Sequence, residues 1–160
     1  MGVTPRLLIG LLIVGLGSPA VQAQSPVEGY IAGAGGRWSN RFASGGLAGV
    51  AGGADIAVTR QVAAEMDVAL LAASGGLLVA LAPGVKVRFR ELTTHAASPF
   101  LVGGYSFLQF FEGSRHAFHV GGGVDYAFSD RRALRIEVRD AIRRDFPSHY
   151  LSIRVGVTFR

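Results

Sequence analysis

The feature that most constrains this chain is a strict two-residue alternation near its C-terminal end. Across 133–142, aliphatic residues alternate with charged residues of both signs, and across 149–160 aliphatic residues again occupy every second position. Successive side chains of a β-strand point to opposite faces, so a period of two predicts strands. The connection 143–148 contains Pro147 and Ser148 and is typical of a turn. The two runs are therefore predicted to form a β-hairpin.

Six earlier runs have the same character, and turn-forming segments separate them. They are 28–38, 46–58, 62–73, 77–90, 100–111 and 116–128, and the longest connection is 91–99. Strands of about 9–11 residues are long enough to cross a bilayer. Eight such strands leave no room for a helix. The pattern predicts an all-β fold, an eight-stranded antiparallel up-and-down transmembrane β-barrel.

Residues 1–23 are predicted to be a cleaved signal peptide and not part of the barrel. Arg6 precedes an apolar run at 7–16, and small or short residues place the cleavage site before Gln24. This apolar run is shorter than the roughly 20 residues of a membrane-spanning helix, which disfavours a retained anchor. The barrel domain is then 24–160. The chain has no cysteine, so neither a disulfide framework nor a lipid-modified N-terminal cysteine is expected.

The composition argues against a nucleic-acid-binding module and is unusual for a water-soluble domain. The formal net charge is +5, or +4 after loss of Arg6, and the basic residues are spread along the chain. Charged residues make up 17% of the chain and hydrophobic residues 49%, whereas soluble domains carry about 25% charged residues. Lys86 is the only lysine among sixteen basic residues. Arginine is favoured where a cation must pair with a carboxylate or a phosphate.

The alternation alone fits both a membrane barrel and a soluble lipocalin-type barrel, whose faces are reversed. The non-aliphatic face is mostly Gly, Ala and Ser with charges of both signs. That composition favours a narrow lumen filled by side chains, in which buried charges must be paired. The predicted lumen ion-pair network consists of Asp55, Glu65, Asp67, Lys86, Arg88, Asp125, Arg135, Glu137, Arg139 and Arg154.

Aromatic residues near the strand ends are predicted to form the two girdles of a membrane barrel. One rim is predicted to carry Tyr30, Phe89, Phe100, Tyr126, Phe128 and Phe159, and the other Trp38, Phe42, Phe110, Phe111, Phe146 and Tyr150.

The signal peptide, the Gly-rich alternating strands, the segment 99–105 and the closing run 155–159 together resemble a known family. They are similar to the small outer-membrane β-barrel proteins of the OmpA/OmpX type, over essentially the whole mature chain. The resemblance implies residence in a Gram-negative outer membrane, with the N-terminus and the even-numbered turns in the periplasm. It also implies outer-membrane lipid, lipopolysaccharide and the barrel-insertion machinery as partners. In that family a terminal aromatic residue is the insertion signal, which would be Phe159, although Arg160 follows it here.

Other candidate sites have simpler explanations. The Gly-rich stretches 33–36 and 121–123 do not lie between a strand and a helix, as phosphate-binding motifs require. His116 and His119 lie three apart, so on a strand they face opposite ways and do not form a metal site. No metal or other cofactor is expected. Glu65 and Asp67 share a face and fit a cation site or an acid–base pair, although pairing with lumen arginines is the simpler role.

An outer-membrane enzyme is an open alternative, because two known small barrels of this membrane transfer or remove acyl chains of lipid A. Acyl transfer requires a nucleophile, a base and an orienting acid in hydrogen-bond reach. His149 and Ser152 lie on opposite faces of one strand and lack the adjacent His-and-Ser arrangement of the deacylase family. The sequence therefore predicts no catalytic residue and a structural or interaction role. A soluble periplasmic lipocalin-like barrel that binds a small ligand is the second alternative.

The arginines at the predicted outer end are candidate lipopolysaccharide contacts, namely Arg41, Arg115, Arg143 and Arg144. Arginine binds phosphate bidentately, but ordinary polar loop surface explains them equally well. Eight strands leave no aqueous channel, so the lumen is predicted to be closed. The outer loops are predicted to have roughly three to eight residues, which is too short for a large adhesin surface.

Overall fold

The computed structural model describes residues 27–73, 76–89, 96–110, 113–144 and 147–160. The predicted signal peptide lies outside these residues. The described part of the chain contains no helix that is long and apolar enough to cross a membrane.

Eight antiparallel strands close into a barrel. They are β1 (Val27–Asn40), β2 (Ser44–Ala57), β3 (Val62–Ala73), β4 (Gly76–Arg88), β5 (Ala97–Phe110), β6 (Gly113–Ser129), β7 (Arg132–Arg143) and β8 (Ser148–Phe159). Each strand pairs with the next, and β8 pairs with β1, so the sheet has no unpaired edge strand. The predicted fold class is confirmed.

Most strands begin one to three residues earlier than predicted, and the largest differences are at β5 and β6. β5 and β6 each begin three residues before the predicted start, at Ala97 and Gly113. The reason is their mutual ladder, which continues without interruption from the Ala97–Tyr126 pair to the Phe110–Gly113 pair. Backbone pairing across a hairpin thus extends both strands beyond the segments whose side chains alternate.

The connections divide the barrel into a loop end and a terminal end. The loop end carries the β1–β2, β3–β4, β5–β6 and β7–β8 connections, and the terminal end carries both ends of the barrel domain. The β1–β2 connection is 41–43, within the predicted range of lengths, whereas the other three connections at this end include residues outside the described part of the chain. In the first, Asn40 Oδ1 accepts hydrogen bonds from the backbone N–H groups of Phe42 and Ala43, both at 2.8 Å. This side-chain acceptor stabilises the turn.

Side chains alternate between the two faces of the closed sheet. In β3, Glu65 and Asp67 are buried, while Ala64 and Met66 are exposed. The same alternation turns the large apolar residues of the strands outward; these include Ile31, Val50, Ile56, Val68, Leu70, Leu81, Val85, Leu101, Phe118, Val120, Ile136, Val138, Leu151, Ile153 and Val155. The aliphatic face is therefore the outer face, the reverse of a soluble barrel with an apolar ligand cavity.

Glycine is required where inward-facing backbone approaches a neighbouring strand. A Cβ added to Gly156 would lie 2.0 Å from the carbonyl oxygen of Ile31. The two atoms would overlap, so no residue with a side chain fits at this position. At the outward-facing Gly33, by contrast, the nearest atom would be the carbonyl oxygen of Val155 at 3.9 Å. Inward glycines of this kind let a small barrel curve tightly around its contents.

The half of the interior near the loop end is filled by apolar side chains. This apolar cluster consists of Ala34, Leu47, Ala51, Ala69, Leu71, Leu78, Ala80, Leu108 and Ala117. Trp38, Phe110 and Tyr150 pack against it from the rim. These three aromatic residues were predicted to form a girdle, and that part of the prediction is wrong because they turn inward.

The girdle prediction is also wrong for two residues of the other rim. Tyr30 and Phe100 are buried in the barrel, with 6% and 2% of their surface exposed. Tyr30 lies two residues from Glu28, and Phe100 two residues from Val102, so each shares a face with an inward residue. The exposed aromatic residues of the terminal end are Phe89, Tyr126, Phe128 and Phe159. Of the remaining candidates, Phe42 is exposed at the loop end, and Phe111 and Phe146 lie outside the described residues.

Candidate functional site

The interior toward the terminal end contains Lys86 between two carboxylates. Lys86 Nζ lies 3.0 Å from Asp55 Oδ2 and 2.8 Å from Asp125 Oδ2. All three side chains are almost fully buried. The ammonium group also lies 4.1 Å from the centre of the Phe100 ring, which adds a cation–π contact.

A second group of charges surrounds Arg139 at the middle of the barrel. Its guanidinium group lies 2.7 Å from Glu65 Oε1, 2.6 Å from Glu137 Oε1 and 3.4 Å from Asp67 Oδ1. Asp67 also accepts a 2.8 Å hydrogen bond from Arg154 Nη1. These partners come from β3, β7 and β8, so closure of the barrel assembles the group.

Arg135 joins the two groups. Its Nε lies 3.2 Å from Glu137 Oε2, and its Nη1 lies 3.7 Å from Asp55 Oδ2. The guanidinium carbon lies 4.0 Å from the centre of the Tyr30 ring and 4.7 Å from that of Phe100. The two inward aromatic residues thus form the walls around a buried cation.

The terminal end carries a smaller set of ion pairs. Arg88 bonds to Glu28, and Arg160 Nε lies 3.0 Å from Glu28 Oε1. Neither Glu28 nor Arg160 was among the predicted network residues. Glu28 has the same strand parity as Tyr30, which is a signal that the sequence already contained. Its position opposite Asp55 is set by the β1–β2 register.

All ten predicted network residues lie on the inner side of the barrel, and all ten take part in ion pairs there. Five are carboxylates and five are cations, so the set is electrically balanced. Charges removed from water must be paired to be tolerated. Chemically, the arrangement is a salt-bridged core.

The histidines of the described residues show no metal-binding arrangement. His116 is exposed and His119 is buried, so they face opposite ways as predicted. Inside the barrel, His119 Nδ1 lies 2.9 Å from Ser106 Oγ, a pair that the sequence reasoning missed. Among the described residues, no group of three or more His, Cys, Asp and Glu is placed to hold a metal ion.

An acid–base pair lies on the outer surface near the loop end. His149 Nδ1 is 2.8 Å from Asp140 Oδ2, and Ser39 of β1 is the register partner of His149. Ser152, the serine considered from the sequence, is buried, and its hydroxyl donates to the carbonyl oxygen of Arg139 at 3.4 Å. His149 and Ser152 thus lie on opposite faces, as predicted.

The four arginines proposed as lipopolysaccharide contacts lie at the loop end but in different surroundings. Arg115 and Arg144 line one pocket of about 370 Å³, together with Tyr105, Ser114, His116, Ala117 and Phe118. Arg41 lies outside that pocket in the β1–β2 connection, and Arg143 ends β7. The sequence contained no sign of the pocket, because its walls come from β5, β6 and the connection after β7.

The fold has clear relatives among solved structures. Neisserial surface protein A matches with a TM-score of 0.60 and 17% sequence identity, covering 83% of this chain and 94% of that one. Ail, the attachment invasion locus protein of Yersinia pestis, matches with a TM-score of 0.60 and 10% identity over 83% and 96% of the two chains. A de novo designed transmembrane β-barrel matches with a TM-score of 0.59 and 16% identity over 87% and 98%. The chain has the fold of the small transmembrane β-barrels, which natural outer-membrane proteins and a designed protein share.

Comparison with protein-family models gives no match, and comparison with curated proteins gives none either. The outer-membrane enzyme PagL also has this fold, with a TM-score of 0.50 and 13% identity over 84% of this chain and 99% of that one. At such identities the likeness concerns the fold alone, so function must be argued from the residues.

Proposed function

We propose that the protein is an outer-membrane β-barrel with a structural or interaction role, without catalytic activity and with a closed lumen. One observation carries the proposal: every strand turns large apolar side chains outward, whereas the charges of the ion-pair network face inward. Soluble monomers rarely expose a continuous apolar surface larger than a few hundred Å². A hydrocarbon environment accounts for this band, and the fold is shared with outer-membrane proteins of Neisseria and Yersinia.

The two layers of the interior support the closed lumen. The apolar cluster fills the loop-end half, and the ion-pair network fills the terminal half. Neither layer resembles the polar, water-filled interior of a porin, and eight strands leave no room for one. Purified protein in planar bilayers is therefore expected to give no conductance above that of the bare membrane. Stable single-channel steps that scale with protein concentration would contradict the closed lumen.

Membrane residence is tested by cell fractionation followed by electrophoresis with and without heating. A closed barrel resists detergent until it is boiled, so the expected result is a heat-dependent change of mobility in the outer-membrane fraction. Mass spectrometry of the same band is expected to show a mature N-terminus at Gln24, as the proposed signal peptide requires. Insertion is proposed to depend on Phe159, the last residue of β8. Recovery in the soluble periplasmic fraction would overturn the proposal.

A second candidate function, deacylation of a lipid ester, is favoured by the His149–Asp140 pair. In this reaction Ser39 Oγ would attack the ester carbonyl and pass its proton to His149 Nε2, while Asp140 orients the ring. The alcohol would leave with that proton, and water would then release the fatty acid from Ser39. Residues opposed in antiparallel strands have Cβ atoms about 4.5–5.5 Å apart, so the serine lies within plausible reach.

The candidate ranks second because the nucleophile lacks its defining contact. Among the side-chain hydrogen bonds of the described residues, none joins the Ser39 hydroxyl to His149. Mass spectrometry of lipid A from producing cells is expected to show no change in acyl chains. Loss of an acyl chain that depends on Ser39, and disappears in a Ser39→Ala variant, would establish the enzyme and refute the non-catalytic role.

A further inference from the structure

At the loop end, the β6 strand extends beyond the end of its ladder with β7. The ladder between them ends at the Phe118–Ile142 pair, whereas β6 continues to Gly113, paired with β5. Within the described residues, the β7-facing edge of 113–117 therefore has no ladder partner. The pocket of about 370 Å³ lies at this step, between the free edge of β6 and Arg144 just beyond β7. We call it the loop-end notch, lined chiefly by Tyr105, Ser114, Arg115, His116, Phe118 and Arg144.

We propose that the loop-end notch binds the phosphate of an outer-leaflet glycolipid, with Arg115 and Arg144 as the phosphate contacts. This inference rests on the proposed residence in the outer membrane and names the lipid site that the barrel uses there. Arginine forks match phosphate oxygens in geometry as well as in charge. Unpaired backbone N–H groups at a sheet edge add further donors for an anion.

Charge is the first argument. Both ionised residues that line the notch are arginines, and its described lining contains no carboxylate. Neither arginine forms an ion pair within the described residues, unlike the five interior cations that are all paired. Within the described residues, the notch is thus a positive site without a carboxylate partner, whereas the interior cations are paired.

The aromatic wall is the second argument. The rings of Tyr105, Phe107, His116 and Phe118 form one cluster, with ring centres 5.1–5.8 Å apart. Phe107 and Phe118 are exposed on the outer face, on the mid-barrel side of the two arginines. A strand rises about 3.4 Å per residue, so the three residues from Arg115 to Phe118 span roughly 10 Å. By alternation Arg115 has the parity of the buried Ala117, on the other side of the sheet from Phe118, but the β7 ladder does not cover the sheet edge at the notch. A phosphate at this rim, with acyl chains against the phenylalanines below it on the outer face, matches the layout of a phosphorylated glycolipid.

The experiment measures lipid A binding to the full mature protein in detergent micelles, by the shift of its thermal unfolding midpoint with lipid A concentration. The test variant is Arg115→Gln with Arg144→Gln. The matched control is Arg60→Gln with Arg131→Gln, which removes the same charge from exposed residues at the terminal end, away from the notch. The test variant is expected to weaken lipid A binding at least tenfold and the control less than threefold. Dephosphorylated lipid A is expected to bind wild-type protein as weakly as intact lipid A binds the test variant.

Several results would overturn the inference. Equal lipid A binding by the test and control variants would show that Arg115 and Arg144 are not phosphate contacts. If inorganic phosphate raises the thermal unfolding midpoint as much as lipid A does, the notch is a site for free anions. Self-association that the test variant abolishes would make the free edge an interface between copies of the chain. Heat-dependent mobility of each variant shows that its barrel is folded. The proposed membrane residence is refuted only if the wild-type protein is soluble. Failure of the lipid-binding proposal is therefore distinguishable from failure of the membrane proposal.

Discussion

Removing the Lys86 side-chain charge tests whether the interior ion pairs hold the barrel together. Lys86→Met keeps the length of the side chain but leaves Asp55 and Asp125 without their close partner. The nearest remaining cations are Arg88 and Arg135, both 3.7 Å from Asp55, and Arg135, 3.9 Å from Asp125. Breaking a buried pair by removing one partner costs about 3–5 kcal/mol. Because these weaker contacts persist, we expect about 3 kcal/mol, the lower end of that range.

The measurement is a urea titration in detergent micelles, followed by the fluorescence of Trp38. This is the only tryptophan of the chain, and it packs against the apolar cluster inside the barrel. Arg60→Met is the matched control, since it removes a cation from an exposed connection and is expected to change stability by less than about 0.5 kcal/mol.

A compensated variant separates loss of charge balance from loss of packing. Adding Asp55→Asn and Asp125→Asn to Lys86→Met removes the orphaned charges, and we expect more than half of the lost free energy of unfolding to return. A loss below about 1 kcal/mol for Lys86→Met would refute the reasoning, because that is the range of an exposed pair. A triple variant no more stable than the single one would refute it as well.

Three further predictions address the other layers of the structure. Gly156→Ala is expected to lower the free energy of unfolding by about 1–3 kcal/mol, because the added methyl group would overpack against Ile31. Gly33→Ala in the neighbouring strand is expected to leave it nearly unchanged. Equal effects of the two substitutions would show that the close approach to Ile31 is unimportant. Val138→Arg, on the outer face at mid-strand, is expected to cost about 2–4 kcal/mol in lipid, against about 0–1 for Val58→Arg near the terminal end; similar small losses at both positions would argue against a hydrocarbon surround. Leu108→Ala in the apolar cluster is expected to cost about 2–5 kcal/mol by leaving a cavity, and a loss below about 1 kcal/mol in the same urea titration would mean that the cluster is loosely packed.

The sequence determined the number, order and approximate bounds of the strands. Alternation is a local property, because neighbouring side chains of a strand must point to opposite faces. The balance of inward charges was equally visible, since Glu65, Asp67, Arg135 and Arg139 lie on single faces of two short runs. Parity alone would also have placed Tyr30 inside, beside Glu28, and that signal was missed.

Only the tertiary structure decided which groups meet. Arg139 pairs with Glu65, which lies 74 residues away, because closure of the barrel brings β7 opposite β3. The apolar half of the interior was hidden for a different reason: around Leu71 and Leu78 both faces are apolar, so the alternation of hydrophobic and polar residues disappears there. The loop-end notch depends on how far β6 outruns β7, which is a matter of register between strands. Periodicity records the face of each residue, whereas strand register and closure determine its neighbours.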